Sequence, residues 1–159
     1  MQFNWPKIIA WSHLLGGIAG LGVLALTPFP RGGPGPPDIW VVGSLGLFGL
    51  SIASGISNLR RRPSGPRLSA TVELLQLVQF QTGTFRYMYM SGIQILLVLS
   101  TTTFTFSPGV RSGFWLGGGV SSAPYIAIDL FSVFALWLLR RARRTQQAMP
   151  SAASDAPAA

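Results

Sequence analysis

The sequence predicts an all-α fold, a four-helix transmembrane bundle with an additional cytoplasmic amphipathic helix. The first observation is a set of four apolar stretches, at about 8–26, 39–58, 87–106 and 114–139. Each is close to the length that a helix needs to cross a bilayer. The second observation is that ten of the twelve Lys and Arg residues fall on one side of this pattern. The third is a helical period of polar residues over about 69–86, between the second and third stretches.

The distribution of basic residues predicts the orientation of the chain. On one side lie Lys7, before the first stretch, Arg60, Arg61, Arg62, Arg67 and Arg86, between the second and third, and Arg140, Arg141, Arg143 and Arg144, after the fourth. The other side has only Arg31 and Arg111. Because basic residues are retained on the cytoplasmic side, we expect an integral protein of a bacterial inner membrane with both termini in the cytoplasm.

Composition limits the remaining classes. The formal net charge is +8, but the basic residues flank apolar segments instead of lining one face. This pattern favours a lipid bilayer with anionic headgroups as the partner over nucleic acid. The chain has no cysteine, which excludes disulfides and thiolate metal sites. We expect a single four-span domain over 1–145 and a disordered cytoplasmic tail over the low-complexity segment 146–159.

The first two spans carry small residues at helical spacing. In the first span these are Ser12, Gly16 and Gly20, which recur every four residues. In the second span they are Gly43, Gly46 and Gly49, spaced by three, with Ser51 and Gly55, spaced by four. Small residues allow the close backbone approach that drives helix association in lipid. We therefore expect these two spans to form a tight antiparallel pair.

The connections have compositions of their own. The loop over 27–38 is rich in proline and glycine, which excludes a regular helix there. The central loop begins with a basic run, and Ser69 is a suitable N-cap for the amphipathic helix that follows. That helix would lie on the cytoplasmic membrane surface or extend the third span inward as a stalk.

Asp129 is the residue that carries most information about function. It lies eleven residues before Arg140, so in a helix it would sit roughly 16 Å from the boundary, near the bilayer centre. An aspartate there costs about 2.5–3.5 kcal/mol, so it should face protein or water. At helical spacing it shares one polar stripe with Ser122, Tyr125 and Ser132.

Two roles are open for this carboxyl group. In the functional interpretation, an ionised Asp129 binds a cation, or a protonated one relays a proton. In the structural interpretation, it is a neutral carboxyl group whose hydrogen bonds are satisfied by Tyr125 or by Gln94, which lies at comparable depth in the third span.

His13, the single histidine, lies roughly 8 Å inside the cytoplasmic boundary. It is a candidate axial ligand for a haem or chlorophyll, or a group that responds to pH, although a lone histidine there is more often an interfacial polar residue. Catalysis is poorly supported, because Glu73 and Asp129 are expected in different environments and His13 and Asp129 at different depths. We therefore predict no enzyme, no catalytic residue, no metal site and no identified cofactor.

Three functions remain open. The leading hypothesis is a non-enzymatic accessory or structural subunit of a membrane complex, with protein partner subunits or self-association, because packing faces are many and intramembrane ionisable groups are few. The alternative is a small oligomeric transporter or channel that uses Asp129. The second alternative is a redox or pigment-protein subunit with His13 as axial ligand.

Overall fold

A computed structural model describes residues 4–26, 37–118 and 123–147, and these form four helices and a four-stranded antiparallel sheet. In chain order the elements are α1 (Trp5–Leu26), α2 (Pro37–Leu59), α3 (Gly65–Leu77), β1 (Val78–Gln81), β2 (Phe85–Ser100), β3 (Phe104–Gly118), β4 (Tyr125–Asp129) and α4 (Leu130–Gln147). The proline-rich segment 27–36, Ser122 and nearly all of the predicted tail lie outside the described residues.

The predicted all-α four-helix bundle is wrong, because the third and fourth predicted spans are not helices. The third, over 87–106, consists of β2, a turn and the start of β3. The fourth, over 114–139, covers the end of β3, β4 and the first part of α4. Ser100 to Thr103 form the turn, where the Ser100 amide donates to the Thr103 carbonyl at 2.9 Å. Ser and Thr side chains stabilise such turns through local hydrogen bonds, and the Ser100 and Thr103 hydroxyls lie 2.8 Å apart.

The sheet is built on one long hairpin. β2 and β3 pair in register from Phe85 opposite Gly118 to Leu99 opposite Phe104. On its other edge β2 pairs with β1 near its start and with β4 near its end, and β1 and β4 also pair with each other. Both ends of β2 are thus drawn to the same two short strands, so β2 must curve between them. Gly92, with φ of 104°, lies in that interval and has a backbone conformation that favours glycine.

Helices α1 and α2 lie antiparallel in close contact. A Cβ atom on Gly55 of α2 would lie 2.7 Å from the Ala10 carbonyl oxygen of α1, and one on Gly17 of α1 would lie 2.7 Å from the Ile52 side chain. The predicted amphipathic helix over 69–86 is helical only to Leu77, and it begins at Gly65. Its remaining residues are β1, a turn and the start of β2.

Helix α1 has inverted polarity, with small and polar residues on its buried face and large apolar residues on its exposed face. On α1 the buried residues include Ser12, His13 and Gly16, whereas Leu15 and Ile18 are more than half exposed. In the described residues two helices, Trp5–Leu26 and Val41–Leu59, are long and apolar enough to cross a membrane. Length and composition therefore support two candidate membrane-spanning helices in place of the four that the sequence predicted.

Candidate functional site

A set of buried polar side chains, here called the polar core, links all four helices to the sheet. Its members are Ser12, His13, Ser44, Ser51, Ser54, Ser57, Ser69, Glu73, Gln76, Gln79, Gln81, Ser91, Gln94, Asp129 and Ser132. Fully buried polar groups are stable only when they are hydrogen-bonded. The hydrogen bonds of the polar core therefore show what these side chains do.

His13 of α1 joins α2 and α3. Its Nε2 lies 2.9 Å from Oε1 of Glu73, and its Nδ1 lies 2.9 Å from the Ser54 hydroxyl. Both His13 and Glu73 are only 1% exposed. An ionised Glu73 can only accept, which places the imidazole proton on Nε2 and leaves Nδ1 to accept from Ser54. Both ring nitrogens are then engaged.

Hydroxyl and amide groups extend this pair into a chain. The Ser54 and Ser69 hydroxyls lie 2.8 Å apart, and Nδ2 of Asn58 donates to the Ser69 hydroxyl at 2.6 Å. One direction of donation satisfies every member, from Asn58 through Ser69, Ser54 and His13 to Glu73. Because each bond orients the next group, the chain fixes how α1, α2 and α3 meet.

The order hydroxyl, imidazole, carboxylate is also that of a serine hydrolase triad. A nucleophilic hydroxyl must face a substrate and donors for an oxyanion. Ser54 and Ser69 are both fully buried, and Ser54 is hydrogen-bonded on both sides. A cavity of about 300 Å³ lies between the start of α1 and the end of α4, and none of these groups lines it. The arrangement can hold helices together or pass a proton, but its geometry gives no support to hydrolysis.

A second part of the polar core joins α3 to β2. Oε1 of Gln76 accepts from the Ser91 amide at 3.0 Å and from Nε2 of Gln94 at 3.3 Å. The Ser91 hydroxyl lies 2.7 Å from that of Ser51, which donates to the His13 carbonyl at 3.0 Å. Within the described part of the chain, Nε2 of Gln76 and Oε1 of Gln94 are buried without a hydrogen-bond partner.

The small residues of α1 face β2 as well as α2. The Ser12 hydroxyl accepts from the Ile93 amide at 2.8 Å, and Gly16 lies directly against the backbone of Ser91 and Gly92. Gly20, by contrast, lies against the Phe48 ring of α2. The stripe thus brings α1 against both the sheet and the second helix.

The small residues of α2 have different surroundings. Gly55 contacts α1, Ser51 belongs to the polar core, and Gly43 lies near Phe114 of β3. A Cβ atom on Gly46 or Gly49 would meet no described atom within 4 Å. Those two glycines therefore do not take part in the contact between α1 and α2.

Asp129 lies at the end of β4, where it caps α4. Its Oδ1 accepts from the Ile95 amide at 2.9 Å and from the Phe131 amide at 3.0 Å, and its Oδ2 accepts from the Ser132 hydroxyl at 3.1 Å. Burial raises the pKa of Asp129, and these hydrogen bonds act in the opposite direction. The carboxyl group joins β2 to the first turn of α4, a position where negative charge is favoured.

The predicted polar stripe around Asp129 does not form, because Tyr125 and Asp129 belong to a strand. Among the residues of the predicted site that the structure describes, Ser132 bonds the carboxyl group, whereas Gln94 bonds Gln76. Tyr125 lies opposite Gln81 and Ser100 in the sheet.

Glu73 is a member of the polar core that the sequence analysis did not include in a candidate site. It lies in the segment predicted as an amphipathic helix on the membrane surface, whereas the structure buries it with Ser69 and Gln76 of the same helix. Their spacing of four and three residues marks one helical face. One signal in the sequence indicates that Glu73 is buried. His13 and the regularly spaced serines lie in two apolar helices, and such polar residues need polar partners.

His13 has little capacity to ligate a cofactor, since coordination would break its bond to Glu73 or to Ser54. The described residues contain no group of three or more His, Cys, Asp and Glu side chains that could hold a metal ion. Comparison of the chain with protein-family models, with curated proteins and with solved structures found no match.

Proposed function

We propose that the protein is a non-enzymatic membrane protein, an accessory or structural subunit of a membrane complex that is anchored by α1 and α2. The observation that carries this proposal is the inverted polarity of the molecule. Its buried side chains are largely polar, while large apolar side chains such as Leu15, Ile18 and Val42 are 58%, 52% and 68% exposed. In water this arrangement loses the hydrophobic driving force for folding, whereas in lipid it places apolar groups outward and pairs polar groups inward.

The polar core supports a structural role. In lipid, hydrogen bonds between helices stabilise their association where the hydrophobic effect cannot. The chain through His13 and the bonds of Asp129 use side chains from different elements to fix one packing arrangement. Both carboxyl oxygens of Asp129 are engaged by protein donors, which favours the structural interpretation of that residue over cation transport.

The outer edge of β3 supports a place in a larger assembly. In the described residues β3 pairs only with β2, so its other edge has no ladder partner. Phe104, Phe106 and Val110 on this strand are 68%, 57% and 77% exposed. An exposed edge strand with large apolar side chains readily pairs with another chain, so we expect this strand to be covered by a partner subunit or a second copy.

The first experiment tests the membrane environment with Ile18→Arg. Arginine in the middle of a lipid-facing helix costs about 2.5–3.5 kcal/mol, so this variant should be lost from the membrane fraction. At the surface of a soluble protein the same change would cost within about 0.5 kcal/mol. Ser64→Arg is the matched control, because Ser64 is exposed and makes no side-chain capping bond. Equal recovery of both variants in alkali-resistant membranes would refute the proposal.

The second experiment tests the assembly with Val110→Lys. The complex should become smaller on gel filtration in mild detergent, because a charge would enter the contact that covers β3. The thermal stability of the isolated chain should not change, since Val110 is 77% exposed. A complex of unchanged size would refute the argument that a partner covers the edge of β3.

A second candidate function is proton handling, and the directional chain from Asn58 to Glu73 favours it. Linked hydroxyls, an imidazole and a carboxylate can pass a proton along their hydrogen bonds. Proton flux into liposomes that depends on Glu73, and is lost in a correctly folded Glu73→Gln variant, would support this candidate. Absence of flux in the unmodified protein would leave the structural role as the better proposal.

A further inference from the structure

A groove between the start of α1 and the end of α4, here called the terminal groove, has an almost wholly apolar lining. It is formed by Trp5 and Ile9 of α1 and by Leu138, Leu139 and Ala142 of α4. Its volume of about 300 Å³ is at the lower end of the range for small-molecule sites. The one charged side chain in its lining is Arg141.

An aromatic cluster adjoins this groove. The rings of Trp5 and Phe134 meet edge to face at 5.1 Å, and those of Phe134 and Trp137 stack at 6.0 Å. The Arg141 guanidinium lies over the Trp137 ring at 5.6 Å. Indole rings with an adjacent cation are typical of the boundary between lipid chains and headgroups.

The charge at this end of the molecule is positive. The side chains of Lys7, Arg140, Arg141 and Arg144 are exposed. This concentration of exposed positive charge favours an anionic partner.

We propose that the terminal groove binds an anionic phospholipid, with an acyl chain along the apolar lining and the headgroup phosphate at Arg141 and its neighbours on α4. A free phosphate or a soluble anion would use the cations but leave the apolar lining in water, whereas a phospholipid uses both. This inference rests on the proposed membrane location of the protein. It adds a lipid class and a site to that location.

The test measures how many phosphatidylglycerol and phosphatidylcholine molecules the full-length protein retains, by native mass spectrometry from mixed micelles of both lipids. The unmodified protein should retain phosphatidylglycerol at least about tenfold more strongly, given the attraction of several basic residues to an anionic headgroup. Arg140→Gln/Arg141→Gln/Arg144→Gln should abolish that preference. The matched control, Arg60→Gln/Arg62→Gln/Arg67→Gln, removes the same charge at residues that do not line the groove and should keep the preference.

The apolar part of the site is tested separately with Ala142→Phe, which fills the groove without changing charge. This variant should lose most of the retained phosphatidylglycerol, and glycerol phosphate without acyl chains should not compete with the lipid. Equal retention of the two lipids, an equal loss in the control triple variant, or full competition by glycerol phosphate would each overturn the proposal. If the protein stays in alkali-resistant membranes and shows no lipid preference, the membrane location survives and the lipid site does not.

Discussion

Replacing Glu73 with leucine should destabilise the protein, because Glu73 is buried and hydrogen-bonded to His13. The change removes the acceptor of His13 Nε2 at 2.9 Å. His13 is 1% exposed, so water cannot replace the lost partner. The imidazole then keeps only its contacts with Ser54 and Ser69.

The size of the effect follows from this burial. Leaving a buried hydrogen-bond donor without its acceptor costs about 1–3 kcal/mol, and here the donor is the Nε2–H of a neutral His13. For a chain of this length, each kcal/mol corresponds to roughly 2–4 °C, so the melting temperature should fall by about 2–12 °C. Glu73→Gln keeps an acceptor for Nε2–H and should cost less, near the value of a single neutral hydrogen bond of about 1 kcal/mol.

The assay is thermal unfolding in mild detergent for Glu73→Leu, His13→Phe and the double variant. Since the double variant leaves neither group unpaired, it should be more stable than the sum of the single changes implies, with a coupling of about 0.5–3 kcal/mol. Additive losses would show that His13 and Glu73 do not stabilise each other. A Glu73→Leu variant as stable as the unmodified protein would refute the burial argument altogether.

The remaining predictions concern glycine contacts and the capping carboxyl group, all measured by thermal unfolding. Gly16→Ala should destabilise the protein by about 1–3 kcal/mol, because the new Cβ atom would overlap the β2 backbone. Gly46→Ala, which meets no described atom, should be neutral or should stabilise the protein by up to about 1 kcal/mol. Asp129→Asn should be mild, but Asp129→Leu leaves the Ile95 and Phe131 amides without an acceptor and should cost about 1–3 kcal/mol for each. Because burial raises the Asp129 pKa above its ordinary 3.8, the folded state binds protons more tightly than the unfolded state. The free energy of unfolding should therefore fall as pH rises from about 3.8 through the higher pKa of the folded state. The Asp129→Asn variant should not show this pH dependence, and an unchanged pH dependence would contradict the raised pKa of Asp129.

The first half of the fold was accessible from the sequence. The predicted first and second spans, 8–26 and 39–58, correspond to α1 and α2, with boundaries within three residues. Long apolar segments with periodic small residues leave few alternatives to a helix. The partners of those small residues were not accessible, because Ser12 and Gly16 contact a strand more than seventy residues later in the chain.

The second half was misread because hydropathy alone does not separate a helix from a hairpin. The segment 87–106 is apolar enough for a span, but it is rich in aromatic and β-branched residues that favour strands. Ser100 to Thr103 is a turn signal inside that segment. The length and hydropathy of the segment favour a helix, and they outweigh this signal in an interpretation by spans.

The candidate site was partly accessible for a related reason. Burial of Asp129 was expected from its apolar surroundings, and it is fully buried, but its partners come from strand pairing that no helical stripe predicts. The burial of Glu73 follows a different rule. When the surroundings of a helix are apolar, its polar face turns inward. An amphipathic helix on a membrane surface has the opposite orientation, with its polar face toward water.

The contact between the sheet and α1 shows that the polar core depends on glycines, which have no polar side chain of their own. The Ile93 amide reaches the Ser12 hydroxyl only because Gly92 adopts a positive φ and Gly16 has no side chain to hold the strand away. That approach also places Ser91 within 2.7 Å of Ser51, whose hydroxyl bonds the His13 carbonyl. A side chain at Gly16 would therefore separate β2 from α1, remove the Ser91 hydroxyl from Ser51 and loosen the helix turn that carries His13.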